Sequence, residues 1–244
     1  MIARRSKRII GAAVLALAVG AAGWWAWNRW LSEQAAPSQA EYPVRGIDIS
    51  AHNGAVDFEA LKRQGVQFAY IKATEGTDFV DKRFVENAVG ARDAGIPAGA
   101  YHFFRFDTDG ELQAWNFIRA IKGRNFTLPP VIDLEEWGND ETIATSRVIA
   151  GLKAFMSVLR DEGYEPVIYT NKDGYNRFVK RHLREHPLWI CSFSNPPLQA
   201  SSQWHIWQFS HRGTLDGISG YVDLNTIHPS SPLFEKIQAL SHPE

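Results

Sequence analysis

Residues 67–103 read QFAYIKATEGTDFVDKRFVENAVGARDAGIPAGAYHF. The stretch opens on an apolar run suited to a strand over 67–73. A helix is expected over 81–94, with Phe84, Val85, Ala88 and Ala91 at near-helical spacing and Gly95 after its end. A second strand follows over 96–103. A strand, a helix and a strand make one crossover unit, and the unit predicts two parallel neighbours in a sheet.

The same rhythm continues in both directions. Upstream lie a strand over 44–49 and a helix over 57–64 that Gly65 stops. Downstream, a helix over 111–121 precedes the Pro129–Pro130 break, a strand over 131–134 and a long helix over 142–162 ending at Gly163. Further strands are expected over 167–170, 188–192, 205–209 and 221–225, and after Arg181 the connections become loop-like and too short for full crossovers. Eight strands in one α/β domain suggest a modified β/α barrel of the triosephosphate-isomerase type, with helices missing or reduced in its last third. An open doubly wound sheet is the alternative.

The domain so defined, residues 44–244, follows two other segments. Residues 9–27, IIGAAVLALAVGAAGWWAW, carry no charge and follow Arg4, Arg5, Lys7 and Arg8. About 20 apolar residues cross a bilayer, and Trp24, Trp25, Trp27 and Trp30 suit the far interface. Residues 1–31 therefore read as a basic tail and a membrane anchor with the remaining chain outside the cytoplasm. The competing reading is a cleaved secretory signal processed near Gly20–Gly23. The anchor is favoured because the run is long for a signal core. Residues 32–43 read as a polar linker of up to ~40 Å.

The N-terminal 43 residues hold five basic and two acidic side chains, which leaves 21 basic against 25 acidic and a net charge of −4 on residues 44–244. A domain of that sign lacks the basic footprint of a nucleic-acid binder. Cys191 is the single cysteine, so neither an internal disulfide nor a cysteine metal cluster is possible. His52 and His102 do not form a metal-ligating pair, and no metal or cofactor is expected.

In a β/α barrel the functional groups sit at the C-terminal strand ends. Asp48, Lys72, His102, Asp133, Glu135, Tyr169, Trp189, Gln208 and Asp223 lie at or near such positions. Asp133 and Glu135 are two apart and so share a strand face, while Ile132 and Leu134 face the helices and Glu136 points away. Two adjacent acids in low dielectric raise one pKa, as a general acid requires. The longer Glu135 is assigned as proton donor, and Asp133 is expected to stay ionised. Asp48 in isolation reads first as a turn or N-cap partner for Ser50-Ala-His-Asn-Gly54. In a closed barrel, however, the first and last strands adjoin, which brings Asp48 and Asp223 to the same mouth.

Gly46-Ile-Asp-Ile-Ser50, Tyr70-Ile-Lys-Ala-Thr-Glu-Gly76, Gly99-Ala-Tyr-His-Phe-Phe104, Val131-Ile-Asp-Leu-Glu135, Ile168-Tyr-Thr-Asn171, Trp207-Gln208 and Val222-Asp-Leu-Asn225 follow in that order. Together they resemble glycoside hydrolase family 25, the muramidases, across residues 44–234. The resemblance implies cleavage of the β-1,4 bond between N-acetylmuramic acid and N-acetylglucosamine in peptidoglycan strands. It makes Glu135 the general acid and Asp133, Asp48 and Asp223 its companion carboxylates. Whether an aspartate or the substrate's acetamido group attacks stays open. Tyr101, Tyr169, Trp189 and Gln208 would line the sugar cleft, and core packing is an equal reading for Trp189. Lys72 would meet a substrate carboxylate or neutralise the acids. Asn53 departs from the Gln common in the family. No wall-binding repeat is expected, so recruitment to the wall falls to the N-terminal segment and the enzyme is read as a monomer. The alternative function is a non-catalytic barrel that binds peptidoglycan and positions other wall proteins.

Overall fold

The computed structural model describes residues 18–25, 27, 37–193 and 204–241. The chain divides into two compact units, Met1–Ala36 and Pro37–Glu244. In the first, residues 18–25 are helical. No helix among the described residues is long and apolar enough to cross a membrane. Most of the apolar run read as an anchor, residues 9–17 with Ala26, lies outside the described residues.

The second unit is a closed barrel. Its strands are β1 (Arg45–Ile49), β2 (Phe68–Glu75), β4 (Ala98–Phe103), β5 (Val131–Asp133), β6 (Val167–Thr170), β7 (Leu188–Cys191), β8 (Trp204–Gly213) and β9 (Val222–Ile227), with β3 (Phe79–Val80) folded back on β2 as a short hairpin. The order β1-β9-β8-β7-β6-β5-β4-β2 closes through the β1–β2 pairing. All eight expected strands are present. The expected parallel direction fails at β9, which pairs antiparallel with both β1 and β8. Its connection from β8, residues 214–221, is shorter than the dozen or so residues a parallel crossover needs. The antiparallel strand brings its N-terminal end to the mouth, and Asp223 arrives there from the start of its strand.

Helices α1 (Phe58–Arg63), α2 (Phe84–Asp93), α3 (Gly110–Ile121) and α4 (Thr145–Asp161) pack outside the sheet. A fifth helix, α5, runs through Lys172–Gly174, a π-helical Tyr175–Val179 and Lys180–His182. On α2 the buried residues are Phe84, Asn87 and Ala91, while Val85 is exposed. The inward stripe therefore follows i, i+3, i+7 from Phe84, and Val85, grouped with it by near-helical spacing, lies outside the stripe. Asp109 caps α3 by accepting from the Leu112 amide at 3.0 Å.

Strand alternation splits the core in two. Ile47, Ile49, Ala69, Ile71, Ile132 and Ile168 face the helices, whereas Phe68, Tyr70, Val131, Val167, Trp189 and Ile206 fill the barrel. The last helix, α6 (Pro232–Ser241), packs Ile237 into that inner cluster. The inner layers leave one end of the barrel open, and the polar strand ends gather there.

Helices α3 and α4 meet closely at Gly110, where an added Cβ would lie 1.9 Å from the Gly151 carbonyl oxygen. At Gly151 the nearest atom to an added Cβ is Phe104 Cζ at 3.5 Å, an ordinary contact. Gly110→Ala is expected to destabilise by about 1–3 kcal/mol through overpacking. Gly151→Ala, inside a helix, is expected to be neutral or to stabilise by up to about 1 kcal/mol. Chemical denaturation of both variants checks the contrast, and equal losses would place the clash elsewhere.

Candidate active site

The open end of the barrel is a cleft of about 750 Å³. Asp48, Lys72, Tyr101, Asp133, Glu135, Tyr169, Trp189, Gln208 and Asp223 all line it. His102 does not. It sits one residue out of phase with Tyr101 and faces the helices, where Thr74 Oγ1 lies 2.8 Å from Nδ1 and Gln113 Oε1 lies 3.1 Å from Nε2. Burial holds its pKa down to about 3, so it stays a neutral core residue.

Asp48 and Asp223 are direct partners across the antiparallel β1–β9 pair and share a side-chain hydrogen bond. Asp48 Oδ2 also accepts from Gln208 Nε2 at 2.9 Å and Asn225 Nδ2 at 2.7 Å. The orientation of each amide is fixed from its far side. Tyr169 Oη donates to Gln208 Oε1 at 2.9 Å, and Trp189 Nε1 donates to Asn225 Oδ1 at 2.9 Å. Both amide oxygens are thereby occupied, and both NH2 groups turn to Asp48. Asp48 is not a cap: Ser50 and Asn53 form the capping box of the turn that follows it. Burial raises the Asp48 pKa against these donors. Burial and then the Asp48 charge push Asp223 up to about 8. The donors favour the charged form of Asp48 against burial, and the shared hydrogen bond favours the proton on Asp223.

The central acids stand at the end of β5. Burial and the neighbouring Glu135 raise the Asp133 pKa well above the carboxylate range, against the opposing charge of Lys72. Glu135 is pushed up to about 7 by burial and then by Asp48, again opposed by Lys72. The expectation was an ionised Asp133 beside a raised Glu135, and burial favours the proton on Asp133 as well. Asp133 is 8% exposed, and among the described residues its buried Oδ1 has no hydrogen-bond partner, so the deeper acid holds its proton more tightly.

The remaining predicted residues fall into place by contact. Lys72 Nζ lies 2.8 Å from Glu75 Oε2 and within 5.2 Å of the Phe103 ring centroid. Tyr101 keeps its proton, because burial and then the Asp48, Asp133 and Asp223 charges raise its pKa. Trp189 is 2% exposed and packs 4.8 Å from Tyr70 and 4.9 Å from Tyr169, centroid to centroid. Its ring is the floor of the cleft and presents no free face. Sequence reasoning missed Asn225 and Glu75 as participants, although both lie within the motifs quoted above.

The loop beyond Glu135 is locked from several sides. Thr170 Oγ1 donates to the Leu134 carbonyl at 2.6 Å. Asn139 donates to the carbonyls of Phe104 and Glu135, both at 3.0 Å, and accepts from the Phe106 amide at 3.0 Å. Glu136 points away from the cleft, as expected, to a 2.7 Å ion pair with Arg177. Arg177 also donates to Thr145 Oγ1 at 3.1 Å and to the Ile143 carbonyl.

Acidic groups of raised pKa within an open, aromatic-walled barrel mouth suit glycoside cleavage. The comparisons give the family. The model for "Glycosyl hydrolases family 25" matches residues 47–218, and the chain belongs to that family. It is 32% identical over 207 residues to the uncharacterized protein YegX of Escherichia coli K12, covering 82% of this chain and 74% of that protein. It is 33% identical over 202 residues to lysozyme M1 of Streptomyces globisporus, covering 77% and 69%. Among solved structures, a family 25 glycosyl hydrolase from Bacillus anthracis superposes with a TM-score of 0.73 at 35% identity, covering 80% of this chain and 93% of that one.

Raised carboxyl pKa values carry a stability consequence. Between the ordinary carboxylate range and about 7–8, the folded state binds more protons than the unfolded chain, so stability falls as pH rises through that window. Glu135→Gln and Asp223→Asn remove the costly charge. Each is expected to melt above the parent at pH 8, with the advantage shrinking toward pH 4. Calorimetric melting across that range checks this, and variants that melt below the parent at pH 8 would contradict it.

Proposed function

We propose that the protein is an N-acetylmuramidase that hydrolyses the β-1,4 bond between N-acetylmuramic acid and N-acetylglucosamine in peptidoglycan. The observation that carries the reading is Glu135: a half-buried carboxyl at the cleft mouth whose pKa lies at about 7, matched to proton donation near neutral pH. Its support among relatives is a set of lysozymes and the N,O-diacetylmuramidase of Chalaropsis, 29% identical over 202 residues.

Glu135 donates its proton to the glycosidic oxygen as the bond to the anomeric carbon breaks. Water then adds to that carbon and returns a proton to Glu135, which restores the acid. The unpartnered Asp133 Oδ1 receives the N–H of the substrate acetamido group, since a carboxyl oxygen accepts in either protonation state. That hydrogen bond turns the acetamido carbonyl toward the reacting carbon. Asp48 supplies the fixed negative charge that stabilises positive charge developing there. Tyr101, Tyr169 and Gln208 shape the wall, and Lys72 balances the acids. The basic-then-apolar N-terminal sequence supports a location outside the cytoplasm, held at the membrane.

Glu135→Gln is expected to lower the release of reducing ends from purified sacculi by about 10²–10⁴-fold while sacculus binding persists. In the parent, kcat/KM is expected to fall as pH rises above about 7, as Glu135 loses its proton. Mass spectrometry of the digests should show muramic acid at the new reducing ends. Anhydro ends, N-acetylglucosamine reducing ends or undiminished cleavage by Glu135→Gln would overturn the proposal.

A further inference from the structure

Immediately beyond Glu135, the chain turns through Glu136–Asn139. The Asn139 amide donates to the Glu136 carbonyl at 2.9 Å, and Gly138 holds φ at 76°. That is a β-turn with glycine at its third position, as a positive φ there requires. Trp137 occupies the second position, which a turn fills with almost any residue. The indole is 76% exposed, more than any other large hydrophobic side chain among the described residues, and it lines the cleft.

Every backbone neighbour of this exposed ring is anchored. Glu136 pairs with Arg177, the Gly138 carbonyl accepts from Arg105 Nη1, and Asn139 ties the turn to Phe104, Glu135 and Phe106. The ring itself has no hydrogen-bonded, cation–π or ring-stacked partner among the described residues. The exposed Tyr221 and Phe79 differ in this respect. Tyr221 lies under Arg212 at 5.7 Å, and Phe79 lies under Lys72 at 5.6 Å. A large apolar surface left in water on a rigid mount gains nothing for the fold, but it is pre-organised for a ligand.

We propose that Trp137 is a sugar-binding platform at the rim of the cleft, on which one pyranose ring of the glycan strand stacks. This rests on the glycoside-cleaving reading of the site. Two Cα steps of 3.8 Å put the Trp137 backbone no more than about 7.6 Å from that of Glu135. The stacked sugar therefore lies within one or two residues of the bond that is cut. The ring's flat apolar face meets the C–H face of the sugar, and its N–H, which has no acceptor among the described residues, is available to a ring or hydroxyl oxygen. Because the mount is locked, the platform acts as a fixed binding element and its contribution is uniform between ground and transition states.

The test uses the full chain carrying Glu135→Gln, so that ligand is bound without being cut. The probe is soluble, uncross-linked glycan strands released from sacculi by an amidase, with affinity measured by titration calorimetry. Adding Trp137→Ala is expected to weaken binding roughly tenfold, while Trp137→Phe, which keeps a flat ring, stays within about threefold. In the active chain, Trp137→Ala is expected to lower kcat/KM by a similar factor, carried by KM. Melting temperatures of the variants should match their parents, because the ring buries little. Binding within about twofold of the parent for Trp137→Ala, with the active chain still cleaving, would overturn the platform and leave the muramidase reading standing. A loss carried by kcat alone would also overturn it and would make Trp137 a shaper of the Glu135 loop. If the active chain neither binds nor cleaves the strands, both readings fall.

Discussion

A buried carboxyl group is held by amide donors at the seam where the barrel closes, and the geometry of the mouth depends on it. Asp48 sits on β1, and its ligands come from β8 and β9: Gln208, Asn225 and the shared proton of Asp223. An isolated buried carboxylate would cost several kcal/mol. Here two amide donors and a carboxylic acid solvate it, and each amide is oriented by an aromatic donor on its other end. The chain Tyr169–Gln208–Asp48–Asn225–Trp189 thus runs across five strands. It ties the closure of the fold to the electrostatics of the cleft, because the Asp48 charge lifts the pKa of Glu135.

This arrangement explains why one antiparallel strand is useful at the seam. With β9 reversed, the start of the strand carries Asp223 opposite Asp48, and the alternate position on the same face carries Asn225 two residues further in. A parallel β9 would present its other end at the mouth. The cost of crowding acids there falls on stability above neutral pH, and their raised pKa values keep protons at the mouth toward neutral pH. The loop beyond β5 follows the same logic. Asn139 and Arg177 spend their hydrogen bonds on backbone and on Glu136, which fixes Glu135 from behind without touching the cleft.

Much of this was legible in the residues. The eight strands stood out as short apolar runs bounded by Gly and Pro, and the phase of Asp133 and Glu135 placed both toward the mouth. Phase also decides His102, which alternates with Tyr101 and Phe103 and so faces the helices; its position near a strand end was the weaker signal. The direction of β9 depended on the length of residues 214–221 and not on composition. Helix α4 starts at Thr145, later than its pattern suggested, because Asp140 accepts from Thr142 and holds the preceding turn out of the helix. Gln208 was placed in the cleft and Asn225 was not, and neither bond to Asp48 was foreseen, since a neutral amide becomes informative only when its partner across the barrel is known. The order of the proton affinities of Asp133 and Glu135 depends on depth, which residue spacing does not encode.

Titration of the Glu135 side-chain carboxyl by carbon-13 NMR, in the parent and in Asp48→Asn, bears most directly on the link between the seam and the chemistry. The midpoint in the parent is expected near 7, and it should fall when the Asp48 charge is removed. A parent midpoint in the ordinary glutamate range, or one that Asp48→Asn leaves unmoved, would contradict the coupling between Asp48 and Glu135.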